Sequence, residues 1–431
     1  MRDVALTLIM LVLVPSIFFR PSLGPLAWAW VSMMVPHRLT FGFAYSLPFA
    51  QLVGGATLIA LFAAKERHRI PWITPIRYLA YFYAVMCFTT IIALNNVGDA
   101  FDMWVKVTKV HVMLWVTIAL IGGKKQILDL IKVITLSIGF YGIKGGLFTI
   151  RSGGGERVWG PTGSFFEGNN ELALALVTIM PLMYFMRQTA ERAWWRTVLS
   201  ISLILVAFSV LGSQSRGALL AISAMALILG ARSKRPVLAV SLFAIIGIGL
   251  AAFMPDTWSN RMNTISSHED HSAQSRLYTW QMILNMVAHN PWGAGFDFWT
   301  WEVWGRYAVT EWLLPYSPHS IYFQALGEHG ILGFFFYIGM GVTSWRFCGR
   351  MIKEVGNDPE QQWLKLLAQC IQISLLSFAV GGTFLGLVNF DVPYYLVAIV
   401  GLLWRDCRKV PDAVTAPGAP AVPRPRPAGG L

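Results

Sequence analysis

Residues 317–342, SPHSIYFQALGEHGILGFFFYIGMGV, set an ionisable ring, His319, directly before an apolar run that continues to Val342. Which solvent surrounds that run decides the fold, and composition answers. Hydrophobic residues make up 55% of the 431 positions and charged residues 13%, with a mean hydropathy of +0.55, well outside the balance of soluble domains. A bilayer's hydrocarbon core is about 30 Å thick and takes about 20 apolar residues per helical span. Stretches of that kind recur along the whole chain, separated by short polar links. No alternating barrel pattern recurs, and backbone groups in lipid must be satisfied within their own segment. The expectation is an all-α polytopic membrane protein with about 12 transmembrane helices.

Charge sets the orientation. Lys and Arg gather at Lys65 to Arg69, Lys124 and Lys125, Arg187 to Arg196, Arg232 to Arg235, Arg346 to Lys353 and Arg405 to Lys409; these links are expected to face the cytoplasm. The links between them, at 95–102, 151–171, 213–217, 255–318 and 389–393, then face outward. Spans are expected near 45–64, 75–95, 103–121, 127–149, 170–187, 197–213, 217–231, 236–254, 320–342, 364–388 and 393–405. One or two more fall within residues 4–35, in short pieces broken by Pro15, Pro21 and Pro25. The N-terminal run reads as an uncleaved first membrane element, although AWA at 27–29 faintly resembles a cleavage site. The basic loops account for the net charge of +12 without nucleic acid. Cys87, Cys348, Cys370 and Cys407 have neither CxxC nor zinc spacing, so no disulfide framework or metal cluster is indicated.

Residues 255–318 are too long for a plain connection. They hold seven tryptophans, and in RLYTWQMILNMVAHN the positions Leu277, Trp280, Ile283, Leu284 and Val287 recur at helical spacing. This predicts an amphipathic helix lying on the outer face of the membrane. The tryptophans read as an interfacial aromatic belt ahead of sugar stacking. The chain divides into N-terminal helices (1–149), a core (150–405) containing this segment, and a Pro/Ala-rich disordered tail (406–431) on the cytoplasmic side.

Three outward residues stand apart. Arg216 lies in the short link LGSQSRGALLA, Arg276 opens the amphipathic helix, and His319 precedes a span. Each alone has an ordinary reading, as a snorkelling arginine or a satisfied interfacial histidine. Together on one face they point to an anionic ligand, because guanidinium groups hold phosphate oxygens in a bidentate fork and stay charged, which suits a diphosphate clamp. Histidine adds a proton acceptor near neutral pH. Ser215 and Ser320 flank the set as candidate substrate contacts. The segment RSGGGERVWGPTGSFFEGNNE adds Arg151, Arg157 and Asn170; it is not a Walker A loop and reads equally as a flexible link or a substrate gate. HEDH at 268–271 lacks a third ligand at a recognisable distance. Lys106, Lys109 and His111 share one span and Lys144 lies in the next; intramembrane charge hints at function, although Lys106 and Lys144 also read as snorkelling. No DxD pair occurs, nor an outward carboxylate pair of the kind retaining glycosidases use.

In order and spacing, SQSRGALLA, SRLYTWQMILNMVAHNPWGAGFDFW and PHSIYFQALGEHGILGFFF resemble the core of the O-antigen ligase and polymerase superfamily. RVWGPTGSFFEGNNELALAL resembles the matching upstream segment, particularly in the O-glycosylation ligases associated with exosortase systems. The resemblance covers about residues 150–400. It implies a metal-independent, membrane-embedded (GT-C-like) glycosyltransferase of the bacterial inner membrane, without a cofactor, its site facing the periplasm. The implied donor is a glycan on undecaprenyl diphosphate and the implied acceptor the lipid A core, with transfer that inverts the anomeric centre. The family's two arginines and histidine fall on Arg216, Arg276 and His319; relatives commonly have His-Asn where this chain has His319-Ser320. A polymerase or a protein O-oligosaccharyltransferase would use the same donor. A lipid-linked glycan transporter is the alternative from another class, expected to show internal repeats and polar groups at mid-membrane.

Overall fold

The computed structural model describes residues 1–65, 67–94, 97–231, 235–256, 271–309 and 314–408, which are helical and contain no strand. The α-helices are α1 (Arg2–Phe19), α2 (Leu23–Met34), α3 (Phe49–Ala63), α4 (Thr74–Ile91), α5 (Val97–Leu120), α6 (Gly123–Arg151), α7 (Asn169–Thr189), α8 (Ala193–Gly212), α9 (Arg216–Ala231), α10 (Pro236–Ala252), α11 (His271–His289), α12 (Trp301–Tyr307), α13 (Ile321–Val355), α14 (Gln362–Gly381) and α15 (Asp391–Asp406). Of the described helices, seven are long and apolar enough to cross a membrane, and α2, α3 and α9 are shorter apolar helices. The protein is thus a polytopic all-α membrane protein. The HEDH fragment apart from His271, Trp258, Trp312, Arg232 to Lys234 and the tail from Lys409 lie outside the described residues.

Most expected spans fall on observed helices, and the differences have physical reasons. Pro15 does not break the N-terminal run, for α1 passes through it. A proline in a membrane helix is tolerated because neighbouring helices and local adjustment satisfy the freed backbone group. Pro25 sits in the first turn of α2, where an amide would lack an intrahelical partner anyway. α13 extends to Val355, well past the expected end at 342, and it is two helices joined at Gly330 (φ 66, ψ −168). There Ile331 N–H donates to Pro291 O at 3.0 Å, and the loop 291–295 docks into the break. In α11 the buried face is Met282, Ile283, Met286 and Val287, while Leu277 and Leu284 are exposed. Methionine completes that face where the expected pattern placed leucine.

Without a hydrophobic drive between helices in lipid, close packing by small residues holds a bundle together. α6 shows this against α8: an ideal Cβ on Gly146 would lie 2.0 Å from the carbonyl oxygen of Leu205. α7 runs through the middle, buried along most of its length. His111, fully buried, stacks on Tyr83 at 4.9 Å and packs against the tilted ring of Tyr394 at 5.0 Å, which is a packing role.

The bundle has two chemically distinct ends. At one, Arg405 donates to the carbonyls of Arg69, Ile118 and Ile121 and pairs with Asp406. Lys124 lies 4.6 Å over the Trp363 ring and Arg408 pairs with Glu354 there. This end collects the basic clusters at Lys65 to Arg69, Lys124, Lys353 and Arg405. The opposite end carries the links around 38–46, 152–168, 213–216, 290–300, 314–320 and 382–390.

Candidate functional site

Five segments converge at that opposite end. The first is the turn between α8 and α9. Ser215 is buried and caps α9, its Oγ accepting from Ala218 N–H at 3.3 Å, so Arg216 opens the helix. A cation at a helix N-terminus opposes the macrodipole, and both attract an anion placed there. Gln214, just before, holds a left-handed backbone (φ 57).

The second is the start of α7. Buried Asn169 donates from Nδ2 to Ser213 O at 2.7 Å. The glycine-rich segment leading to it is stitched down: Val158 N–H donates to Gly212 O at 3.1 Å, and Gly160 N–H to Glu167 O at 2.8 Å. These bonds tie the start of the segment to the end of α8 and close its middle into a loop. Asn170 is half-buried beside Asn169.

The third and fourth are α11 and the turn before α13. Trp280 Nε1 donates to Pro318 O at 2.8 Å, and its ring stacks on Phe323 at 4.6 Å and 7°. Arg276, one helical turn earlier, is thereby brought to His319, whose imidazole feels its charge. Burial first, and the Arg276 guanidinium second, hold His319 below its ordinary 6.5, leaving a neutral ring at pH 7 able to accept a proton. His319 also has a left-handed backbone (φ 45), a sparsely populated conformation for a residue with a side chain and one that accumulates at functional sites. Arg276 also acts on Glu171, on the first turn of α7.

The fifth is the link after α14. An ideal Cβ on Gly217 would lie 3.3 Å from Leu385 Cγ, and one on Gly386 would lie 3.8 Å from His319 Cα. Leu385 and Gly386 therefore stand between the residue after Arg216 and His319. α9 and α13 both begin beside this link, Gly217 against Leu385 and Ile321 against Gly382.

Of the residues expected from sequence, Arg276 stands close enough for its charge to act on His319, and the residue after Arg216 lies against Leu385, whose neighbour Gly386 lies against His319. Ser320 is buried, its Oγ without a hydrogen-bond partner among the described residues. Arg151 is exposed at the end of α6, and Arg157 lines a separate pocket with Arg38 and Lys144. Four polar residues escaped the sequence reading. Glu171 is the carboxylate that shares Arg276's field. Gln324, Glu328 and His329 are buried along the first half of α13, with Gln324 Nε2 donating to Glu328 Oε1 at 2.9 Å and His329 Nδ1 2.9 Å from Thr89 Oγ1. Ser320, Gln324 and Glu328 follow i, i+4, i+8 spacing, so they form one polar face. That spacing was the available signal.

Residues 1–213 match the model of a family of unknown function. No curated protein matches the chain. Residues 201–338, the stretch that carries Arg216, Arg276 and His319, match the family model described as O-antigen ligase, and with the apolar helices this supports a multi-pass membrane protein of ligase or polymerase type.

Proposed function

We propose that the protein is an O-antigen ligase of the bacterial inner membrane, with about 12 spans, a GT-C-like architecture and its site open to the periplasm. It transfers a glycan from undecaprenyl diphosphate to the lipid A core without a metal ion. The acceptor hydroxyl oxygen attacks the anomeric carbon as the bond to the diphosphate oxygen breaks. The leaving group departs with the electron pair, and the anomeric centre inverts. The hydroxyl proton passes to the neutral imidazole of His319. Arg216 and Arg276, with the N-termini of α9 and α13, stabilise the charge developing on the diphosphate. Ser320 orients the acceptor or donor beside His319, while Ser215 acts through the cap that fixes Arg216.

The observation that carries this reading is the Trp280–Pro318 hydrogen bond, which ties the helix of Arg276 to the left-handed turn that holds a half-buried His319 within the field of that arginine. The family match over residues 201–338 supports the reaction class. A reconstituted assay with purified lipid-linked glycan, offered lipid A core, growing glycan or protein as acceptor, tests it. Transfer to lipid A core supports the ligase; transfer only to glycan or to protein assigns the polymerase or the protein-modifying alternative. Absence of transfer to all three, with lipid-linked glycan moving across the membrane, overturns the transferase reading.

A further inference from the structure

A groove of 340 Å³ lies between α13, α14 and α15. Both halves of α13 line it: Tyr322 stands before the break at Gly330, and Tyr337, Gly341 and Arg346 after it. Leu375 of α14 and Val397 of α15 complete the wall. An ideal Cβ on Gly341 would meet nothing within 4 Å, so this stretch of helix borders open space. The Tyr322 hydroxyl donates to Ala379 O at 2.8 Å and is thereby satisfied, which leaves that end of the groove apolar. Arg346 alone of the lining residues is charged, and among the described residues no carboxylate pairs with it.

Physics restricts what fills such a space in a bilayer. Interiors pack as densely as organic crystals, and a cavity with apolar walls takes no water. Val342, on the same lining, is exposed, so hydrocarbon from the bilayer reaches the groove. Charge and length then identify it. At about 1.5 Å of rise per residue, Tyr337 to Arg346 covers about 14 Å along α13, close to half of a hydrocarbon core about 30 Å thick. That is the depth of one leaflet. Arg346 lies on the side of Lys353 and the basic end of the bundle, with Trp345 before it and Arg350 one turn on. An aromatic ring beside snorkelling cations marks a headgroup level. A chain entering from the opposite end would bring its head to Tyr322 and leave only hydrocarbon against the guanidinium. A chain entering from the basic end sets its phosphate there.

We infer that the groove takes one acyl chain of an anionic phospholipid from the leaflet at the basic end, with the lipid phosphate on Arg346 and the chain running past Gly341 to Tyr337. A guanidinium fork suits phosphate, and a basic side chain near the surface favours a net anionic lipid by about fivefold. The inference does not depend on the transfer reading, whose residues gather at the other end.

Native mass spectrometry of the delipidated full-length protein tests it, with phosphatidylglycerol and phosphatidylethanolamine of the same chains added separately. The parent should bind one molecule of phosphatidylglycerol about fivefold more tightly than phosphatidylethanolamine. Arg346→Gln should erase that preference and still bind both lipids. Gly341→Phe, whose ring fills the groove, should lose the tight copy of either, while Gly341→Ala should bind as the parent does. Equal binding of the two lipids by the parent, an unchanged preference in Arg346→Gln or an unchanged tight copy in Gly341→Phe overturns the inference. So does displacement of phosphatidylglycerol by an equal concentration of a polyprenyl phosphate. If Gly341→Phe fails to fold, phosphatidylglycerol carrying a photoreactive group at mid-chain is crosslinked to the parent instead. Adducts confined to residues 337–346 and 375–379 support the inference, and adducts spread evenly over the exposed helix faces overturn it.

Discussion

Trp280 Nε1 hydrogen-bonds the carbonyl oxygen of Pro318 at 2.8 Å, tying α11 to the turn that presents His319. Trp280→Phe keeps an aromatic ring over Phe323 and deletes this bond. A net hydrogen bond is worth about 0.5–1.5 kcal/mol, so transfer should fall about two- to tenfold while thermal stability changes little. An unchanged turnover rate per folded molecule would show that the bond does not position His319.

The acid limb of the transfer rate follows from the His319 environment. Burial and Arg276 hold the imidazole below 6.5, so the neutral, proton-accepting form persists through pH 7 and is lost as pH falls through the depressed value. In Arg276→Gln the cation is gone and burial remains, so protonation becomes easier and the acid limb of the residual activity should move to higher pH. A limb that stays in place or moves lower would remove Arg276 from His319's field.

The backbone at His319 makes a separate prediction about stability. With φ at 45, the position suits Asn, which enters the left-handed region readily, and penalises a β-branched side chain by about 1–2 kcal/mol. His319→Asn should therefore melt close to the parent and His319→Val several degrees lower, with transfer lost in both. Equal melting of the two variants would mean that the turn relaxes.

Much of the architecture was legible because lipid imposes one rule on every segment. Apolar length and basic clusters located nearly every described helix, and the Lys65 to Arg69 and Arg405 groups do share an end. Arg216, Arg276 and His319 were legible as rare charges beside spans. What escaped depends on tertiary contact. The break at Gly330 is invisible in an apolar run, since glycine is common in membrane helices. Leu277 and Leu284 match a helical stripe as well as Met282 and Met286 do, and only α11's docking on α13 chooses between them. Glu171 gains its importance from Arg276, which is more than a hundred positions away in sequence.

Gly330 gives a further test. An ideal Cβ there would meet Pro291 O at 2.2 Å, on a backbone with φ 66, so Gly330→Ala combines a clash with left-handed strain. The expected loss is about 2–4 kcal/mol, visible as reduced folded yield in detergent. Gly341→Ala, with nothing within 4 Å of its Cβ position, should behave as the parent. Similar yields for both would contradict the docking of the 291–295 loop into the break.

The central claim is that guanidinium groups, together with a neutral histidine, take the part a metal ion plays in other glycosyl transfers. The most direct measurement is glycan transfer in proteoliposomes containing the parent, Arg216→Ala or His319→Ala, each with and without excess chelator. The account predicts full activity of the parent in chelator and loss of at least about a hundredfold in either variant, as for removal of a transition-state charge partner, with membrane insertion intact. Parent activity abolished by chelator and restored by a divalent ion, or undiminished transfer by Arg216→Ala, would contradict it.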